Sequence, residues 1–294
     1  VSRPYGSKNQ PLSKGDGRLP GPRGLDAALG SLIGRPVQVE QDAPLGPAER
    51  VALLLQRVRQ LQAGAAPNPY QTDFCKFAFE LVRTKDEAAG GVVRPLPPDP
   101  YLYEAADAFF TCPLLLIEKS RRVRMSWWAC AFDIWLWAGG QDPRWLNLNT
   151  DEPVLMAAQG NRQIILASRK LEDLQGSQWF LEKRIKFILD DLERRNVRDY
   201  WPSFPEWTFK TGEIAGSNGS FMTAIASGAD QARAAGATLV HAEEIAFWPQ
   251  ARASIGGMLP TLLPAGHLIG ITTPQANSFA HELVMDRLEG GDLY

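Results

Sequence analysis

The chain has 294 residues, enough for one large domain or two small ones, and its 45% hydrophobic content is ample for a core. A formal net charge of −2 excludes coating of nucleic acid by bulk charge, so any DNA contact must come from local basic clusters. No apolar run approaches the ~20 residues that span a bilayer, Val1-Ser2-Arg3-Pro4 begins no signal sequence, and the odd, unpaired set Cys75, Cys112 and Cys130 argues against a secreted disulfide framework.

Residues 1–44 are rich in Gly, Pro and Lys/Arg and read as an extended or disordered arm, with Leu25, Leu29, Leu32 and Ile33 spaced for a short helix on a partner. Residues 45–89 read as an N-terminal helical region. Pro47 suits a first helical position, and Val51, Leu54, Leu55, Val58 and Leu61 form one stripe before Gly64, suited to docking on the main domain or a neighbouring subunit. Pro69-Tyr70-Gln71 opens a further helix carrying Phe74, Phe77, Ala78, Leu81 and Val82. The segment from Arg94 to Tyr103 is proline-rich and suits rigid packing. The cysteines read as reduced core residues of a cytosolic protein.

The chain then reaches Leu114-Leu115-Leu116-Ile117, a continuous apolar run after Pro113 that predicts a buried parallel strand. A dense run from Ser126 (Trp127, Trp128, Ala129, Phe132, Ile134, Trp135) predicts a buried helix. Between them lies the basic turn Glu118-Lys119-Ser120-Arg121-Arg122-Val123-Arg124-Met125. A turn that leaves a buried strand and enters a helix points backbone N–H groups and the positive helix end at one spot, where phosphate binds. Against the usual phosphate loop, G-x-x-x-x-G-K-[ST] ending at Ser126, Lys119 and Arg124 replace the glycines and Met125 replaces the lysine.

Gln163–Ala167 is a second apolar strand, followed by Ser168 and Arg169 and by a long amphipathic helix with Leu171, Leu174, Trp179, Phe180, Ile185, Ile188, Leu189 and Leu192 inward. Its charged face carries Lys183, Arg184, Lys186, Arg194, Arg195 and Arg198, the pattern of a solvated helix. Trp207–Phe209 and Ser220–Ile225 alternate as strands, and Gly216–Ser220, containing Asn-Gly, predicts the hairpin joining them. Ala237–Ala242 is a short buried strand that ends in Glu243-Glu244. Adjacent carboxylates at a buried strand end are costly unless a cation compensates. Gly266–Ile271 is a fourth core strand, ending in Thr272-Thr273-Pro274. His241 and His267 lie on apolar strands and read as core residues; with His281 they have no metal-cluster spacing. All four buried strands deliver polar residues at their carboxyl ends, where open α/β sheets bind ligands.

In their order, the motifs Lys-Ser-Arg…Ser, Ala-Ser-Arg, Glu-Glu-Ile-Ala-Phe-Trp and Thr-Thr-Pro resemble the ATPase domain of tailed-bacteriophage terminase large subunits, over roughly residues 90–285. Those proteins often carry a deviant loop, K-S-R-x-x-G-x-S, which Lys119, Ser120, Arg121 and Ser126 match, while Arg124 stands at the family's glycine and Glu243 at its aspartate. A non-glycine residue at positive φ costs roughly 1–2 kcal/mol, so either the loop bends differently here or nucleotide affinity is altered.

The resemblance implies an α/β, RecA-like P-loop NTPase with a mainly parallel central sheet flanked by helices, occupying residues 90–294 without the family's nuclease domain. It implies binding of ATP and Mg²⁺ by the loop from Lys119 through Ser120, Arg121, Arg122, Val123, Arg124 and Met125 to Ser126. Lys119 and Arg121 would neutralise phosphates, Ser126 and Glu243 would hold Mg²⁺, and Glu244 would orient the attacking water. Thr272 and Thr273 would couple hydrolysis to movement, their hydroxyls suited to sensing the γ-phosphate. The family's adenine-contacting segment falls on Arg94–Tyr103, which makes Tyr101 or Tyr103 a candidate for base stacking and leaves Gln71 too distant.

By the same resemblance Ser168, Arg169 and Lys170 are candidate DNA contacts, and Arg233 or Arg252 a candidate arginine finger toward an adjacent subunit. The implied activity is ATP-driven translocation of double-stranded DNA into a viral procapsid, in the cytoplasm of an infected host, with no membrane. The implied partners are a portal protein, a small terminase subunit and further copies in a homo-oligomeric ring, expected as a pentamer. No nuclease activity is expected from this chain. Two other classes fit the motifs: a helicase-like remodelling ATPase, and a nucleotide-binding docking module in which Arg124, Met125 and Glu243 impair hydrolysis.

Overall fold

The computed structural model describes residues 68–86, 89–121, 123–147, 161–170, 177–227 and 236–288. The arm over 1–44, the helix expected from Pro47 to Gly64, and Arg122, Leu171, Leu174 and Arg233 lie outside the described residues.

In chain order, two short helices, α1 (Pro69–Thr72) and α2 (Phe74–Lys76), and a π-helical turn (Phe77–Leu81) lead into the hairpin β1 (Arg83–Asp86) and β2 (Val92–Pro95). Asn68 caps α1 through its side chain and Asp73 caps α2 in the same way. Helix α3 (Pro100–Thr111) starts at a proline, which suits a first turn where the N–H has no helical acceptor. Then come β3 (Leu114–Glu118), helix α4 (Met125–Trp137) and β4 (Gln163–Ser168). Helix α5 (Ser177–Phe180), a second π-helical stretch (Leu181–Ile185) and α6 (Lys186–Arg194) follow. The chain continues with β5 (Trp207–Lys210), β6 (Glu213–Gly216), β7 (Phe221–Ala226), β8 (Ala237–Glu243), α7 (Ala251–Met258), β9 (Leu262–Thr272) and α8 (Phe279–Leu288).

The central sheet has the order β3-β9-β8-β4-β7-β6-β5. The four pairings from β3 to β7 are parallel, and β7, β6 and β5 form an antiparallel meander. This is the mainly parallel α/β class that the motifs imply. Two expectations need correction. First, β3 is an edge strand among the described residues, and its side chains are half-buried, with Leu114 40% exposed. An apolar run fits a strand covered on both faces, but it carries no information on how many neighbours the strand has. Second, the Asn218-Gly219 turn joins β6 to β7, not β5 to β7. Gly212, at φ +79°, makes an earlier turn, and the four-residue β6 between the two turns is too short to stand out from the connection in sequence.

Helix α4 is buried at every one of its positions, because Met-Ser-Trp-Trp-Ala-Cys-Ala-Phe-Asp-Ile-Trp-Leu-Trp is apolar all round. It lies in the larger core with α3, α6 and the 74–82 segment, where Phe74 meets Phe110, Trp128, Phe132 and Trp135. The N-terminal helical region, so far as it is described, thus shares the core of the sheet domain. A smaller core gathers Ile165, Val240, Ala242, Trp248, Ile255 and Met258 on the other face. Strand β8 divides its residues between the two: Leu239 belongs to the larger core, Val240 and Ala242 to the smaller. The period of two therefore sends His241 and Glu243 to the α4 side.

Candidate active site

Sheet register brings four strand ends to one rim. Glu118 pairs with Thr272, Glu243 with Ile271, and Ala167 with Ala242, so the residues that follow β3, β9, β8 and β4 emerge side by side. The crevice at this rim is where an open parallel sheet binds ligands.

The basic turn is anchored at both ends. The Lys119 N–H donates to the Thr272 carbonyl at 2.9 Å, and the Trp128 N–H donates to the Arg124 carbonyl at 3.0 Å. Between them the Tyr101 hydroxyl sits 2.8 Å from the Val123 carbonyl and 3.2 Å from the Asp99 carboxylate, so one proton faces two acceptors. Arg124 adopts φ +56°, ψ 6°, the left-handed conformation that a glycine would take, and its guanidinium lies 3.6 Å from Asp86 in the β1–β2 hairpin. Of the alternatives left by its side chain, the loop therefore keeps the glycine shape. Met125 is buried at 5% exposure, so the side chain at the usual lysine position turns into the core. Ser120 and Arg121 are exposed at the apex.

Lys119 reaches across the rim to the acidic pair. Its ammonium is 3.4 Å from Glu244 Oε1, although the two residues are 125 positions apart. Glu244 leaves β8 through φ +55°, and its N–H donates to the Ile271 carbonyl at 2.6 Å. Its carboxylate accepts from the Thr273 N–H at 3.1 Å and the Thr273 hydroxyl at 3.4 Å. Thr272 has a different place: its hydroxyl accepts from the Ala246 N–H at 3.0 Å. Among the described residues four non-glycine residues have positive φ; Asn196 and Asn277 are the residue type that tolerates it, and the other two, Arg124 and Glu244, flank this crevice.

Behind the pair runs a buried polar chain. The Asp133 carboxylate is 2.6 Å from His241 Nδ1, His241 Nε2 is 3.2 Å from Glu243 Oε1, and the Ser126 hydroxyl donates to Glu243 Oε2 at 3.2 Å. Both imidazole nitrogens face carboxylates, which accept only, so both carry protons. Burial works against that charge, but Asp133 and Glu243 outweigh it and hold the His241 pKa at about 10. For Glu243, burial alone would raise the pKa, yet the His241 contact carries it below the usual value. Asp133 is raised, because burial exceeds the help of His241.

His241, Asp133 and Arg184 were not read as site residues. The signals were present: His241 and Glu243 alternate onto one strand face, and Ser126 and Asp133 are two helical turns apart on α4. Arg184 belongs in sequence to a solvated charged face, but its guanidinium lies 4.6 Å from the Phe180 ring centroid and 5.3 Å from those of Trp127 and Trp179, and its charge helps to lower Glu243.

The remaining candidates are dispersed. Arg169 and Lys170 are exposed at the end of β4, on the same rim, whereas Ser168 is buried. The Arg252 guanidinium is bound to Glu282 at 2.9 Å and stacked on Phe279. Gln71 donates to the Gly139 carbonyl beyond the far end of α4. His267 is packed against Trp145 at 3.8 Å between the carbonyls of Phe109 and Leu146.

The donor set suits Mg²⁺. Among the described residues no group of three or more His, Cys, Asp or Glu side chains could hold a metal unaided. Mg²⁺ does not require one, since it takes one or two protein oxygens and completes its shell with phosphate and water. Ser126 spends its proton on Glu243, which leaves the hydroxyl lone pairs for a cation.

No protein-family model and no curated protein matches the sequence. Among solved structures, the large terminase of bacteriophage HK97 superposes with a TM-score of 0.50 at 10% identity, covering 74% of this chain and 41% of that one. The chain has the fold of a phage large terminase. The large terminase of a thermophilic bacteriophage gives a TM-score of 0.45 at 8% identity, covering 66% of this chain and 44% of its own. The ATPase domain of a Thermus phage large terminase gives 0.42 at 16%, covering 68% of this chain and 74% of its own. The mainly parallel α/β architecture is that of the HK97 large terminase, and the match spans 41% of that protein's length.

Proposed function

We propose that this chain is the ATP-hydrolysing motor of a terminase large subunit, which translocates double-stranded DNA into a viral procapsid. The observation that carries the reading is the meeting of Lys119, Ser126, Glu243, Glu244 and Thr273 on one sheet rim, with Lys119 3.4 Å from Glu244. A cation in a phosphate loop facing two carboxylates is the minimum equipment for in-line displacement at a γ-phosphate.

The roles follow from the contacts. Among the described residues Lys119 is paired with Glu244 at 3.4 Å, and an incoming triphosphate, with more negative charge, draws the ammonium toward itself. Glu244 Oε1 thereby loses the ammonium, keeps the Thr273 hydroxyl and turns a lone pair to the water, while its Oε2 stays on the Thr273 N–H. Thr273 thus follows the state of the catalytic carboxylate and passes it to the segment beyond β9. Arg121, exposed at the apex, adds charge to the phosphates. Ser126 and Glu243 would hold Mg²⁺, which would supply neutralisation of phosphate charge. Tyr101 buttresses the loop through Val123, and the exposed part of its ring would stack on a base. Arg169 and Lys170 face DNA, and the partners are a portal protein, a small terminase subunit and copies of this chain in a ring.

The test is ATP turnover with and without double-stranded DNA, on the unaltered chain and on Lys119→Ala and Glu244→Gln. Each substitution is expected to lower turnover by about 10²–10⁴-fold, and DNA is expected to raise it in the unaltered chain. Turnover that survives both substitutions overturns the assignment. Separation of a forked duplex by the chain would reassign it to a helicase-like enzyme.

A further inference from the structure

We infer that His241, itself held by Asp133, is a positioning residue that fixes the direction of the Glu243 carboxylate and thereby tunes Mg²⁺ binding at Ser126. The inference rests on the nucleotide-binding reading above. Its basis is a pair of facing rows. Helix α4 presents Ser126 and Asp133 on one face, and β8 presents His241 and Glu243 on one face. The rows close at both ends, through Ser126 with Glu243 at 3.2 Å and Asp133 with His241 at 2.6 Å, and His241 bridges to Glu243 at 3.2 Å.

A glutamate has one more rotatable bond than an aspartate, so a carboxylate tied only to Ser126 would have several rotamers open to it. Here each oxygen has its own donor, Oε1 from His241 and Oε2 from Ser126. The hydroxyl proton is thus committed to Glu243, and the lone pairs of Ser126 face away from it. Asp133 fixes the imidazole ring and the proton on Nδ1, the arrangement by which a carboxylate and a histidine orient the groups around a metal. Packing alone does not call for this chain. Asp133, His241, Glu243 and Ser126 are 1%, 1%, 2% and 8% exposed, and apolar residues would join β8 to α4 without burying charge.

The experiment measures the affinity of the full chain for a non-hydrolysable ATP analogue by calorimetry, in EDTA and in Mg²⁺. The ratio is the factor by which the metal tightens binding. His241→Asn keeps an amide near Asp133 but is too short to reach Glu243, whereas His241→Gln places an amide nitrogen close to the position of Nε2. His241→Asn is expected to cut the metal factor about 10- to 100-fold, with affinity in EDTA changed by no more than about twofold, and His241→Gln to restore most of it. An unmoved metal factor in His241→Asn, or an equal loss in both variants, overturns the inference. If His241→Asn is recovered unfolded, Asp133→Asn is read in its place: a reduced factor supports the role of the pair and an unchanged one overturns it. Analogue binding with an unmoved factor overturns this inference alone, while absence of binding in the unaltered chain overturns the nucleotide reading and this inference with it.

Discussion

Arg124 gives the sharpest test of the loop. It holds φ +56° at the N-cap of α4, a conformation that costs a residue with a Cβ roughly 1–2 kcal/mol. Glycine does not bear that cost but loses about 0.5–1 kcal/mol through the greater freedom of its unfolded chain. Arg124→Gly and Arg124→Ala both remove the partly exposed ion pair to Asp86, which at 3.6 Å contributes little. The comparison between the two variants therefore isolates the backbone, and glycine should be the more stable by about 0.5–1 kcal/mol. At roughly 2–4 °C per kcal/mol for a domain of this size, Arg124→Gly should unfold about 1–4 °C above Arg124→Ala. Thermal unfolding by circular dichroism in the absence of nucleotide measures it. An alanine variant as stable as the glycine variant would show that residue 124 does not hold a left-handed turn.

The His241 cluster makes stability depend on pH. A histidine whose pKa rises from 6.5 to about 10 on folding contributes stability that is complete below 6.5 and is lost as pH climbs through 10. Glu243, lowered on folding, acts in the opposite sense, its contribution present above 4.5 and lost as pH falls through its folded pKa. Urea unfolding between pH 6.5 and 9.5 should thus show the unaltered chain losing up to about 1.4 kcal/mol per pH unit more than His241→Gln; parallel profiles would refute this. Tyr101→Phe removes the hydroxyl from Val123 and should cost about 0.5–1.5 kcal/mol in the same assay, with no loss counting against the buttress. Gly219→Ala should cost about 1–3 kcal/mol, because φ is +79° and a Cβ would fall 2.6 Å from the Asn161 side chain. A neutral result there would place the Asn-Gly turn elsewhere.

Much of the fold was legible because the strongest signals are local. The apolar runs ending at Ile117, Ala167, Ala242 and Ile271 are long enough to name strands, and the solid apolar sequence of α4 names a buried helix. Their polar successors fell on one rim because parallel strands share a direction. What was not legible is pairing. Nothing in Leu114–Glu118 says that β3 has one described neighbour, and nothing in Glu213–Gly216 distinguishes a four-residue strand from a loop. His241 was read as core because an isolated histidine on an apolar strand usually is. Its role appears only when the strand's two-residue period is combined with the seven-residue spacing of Ser126 and Asp133 on a helix that packs against it. The two threonines were legible as a pair but not individually, since only the turn after β9 decides that Thr273 faces Glu244 and Thr272 faces Ala246.

Helix α4 has no face toward water, and that bears on how a displacement at Ser126 would spread. A rod packed all round in a close-packed interior transmits strain along its axis. Its length is ~20 Å, and beyond its last turn Gln71 and Arg162 clasp the carbonyls of Gly139 and Gly140. A swing of about 5° at Ser126 would carry that remote end by nearly 2 Å, on the ~20 Å arm just given. A displacement of the serine would on that geometry reach the opposite margin of the sheet through one helix instead of a chain of loops.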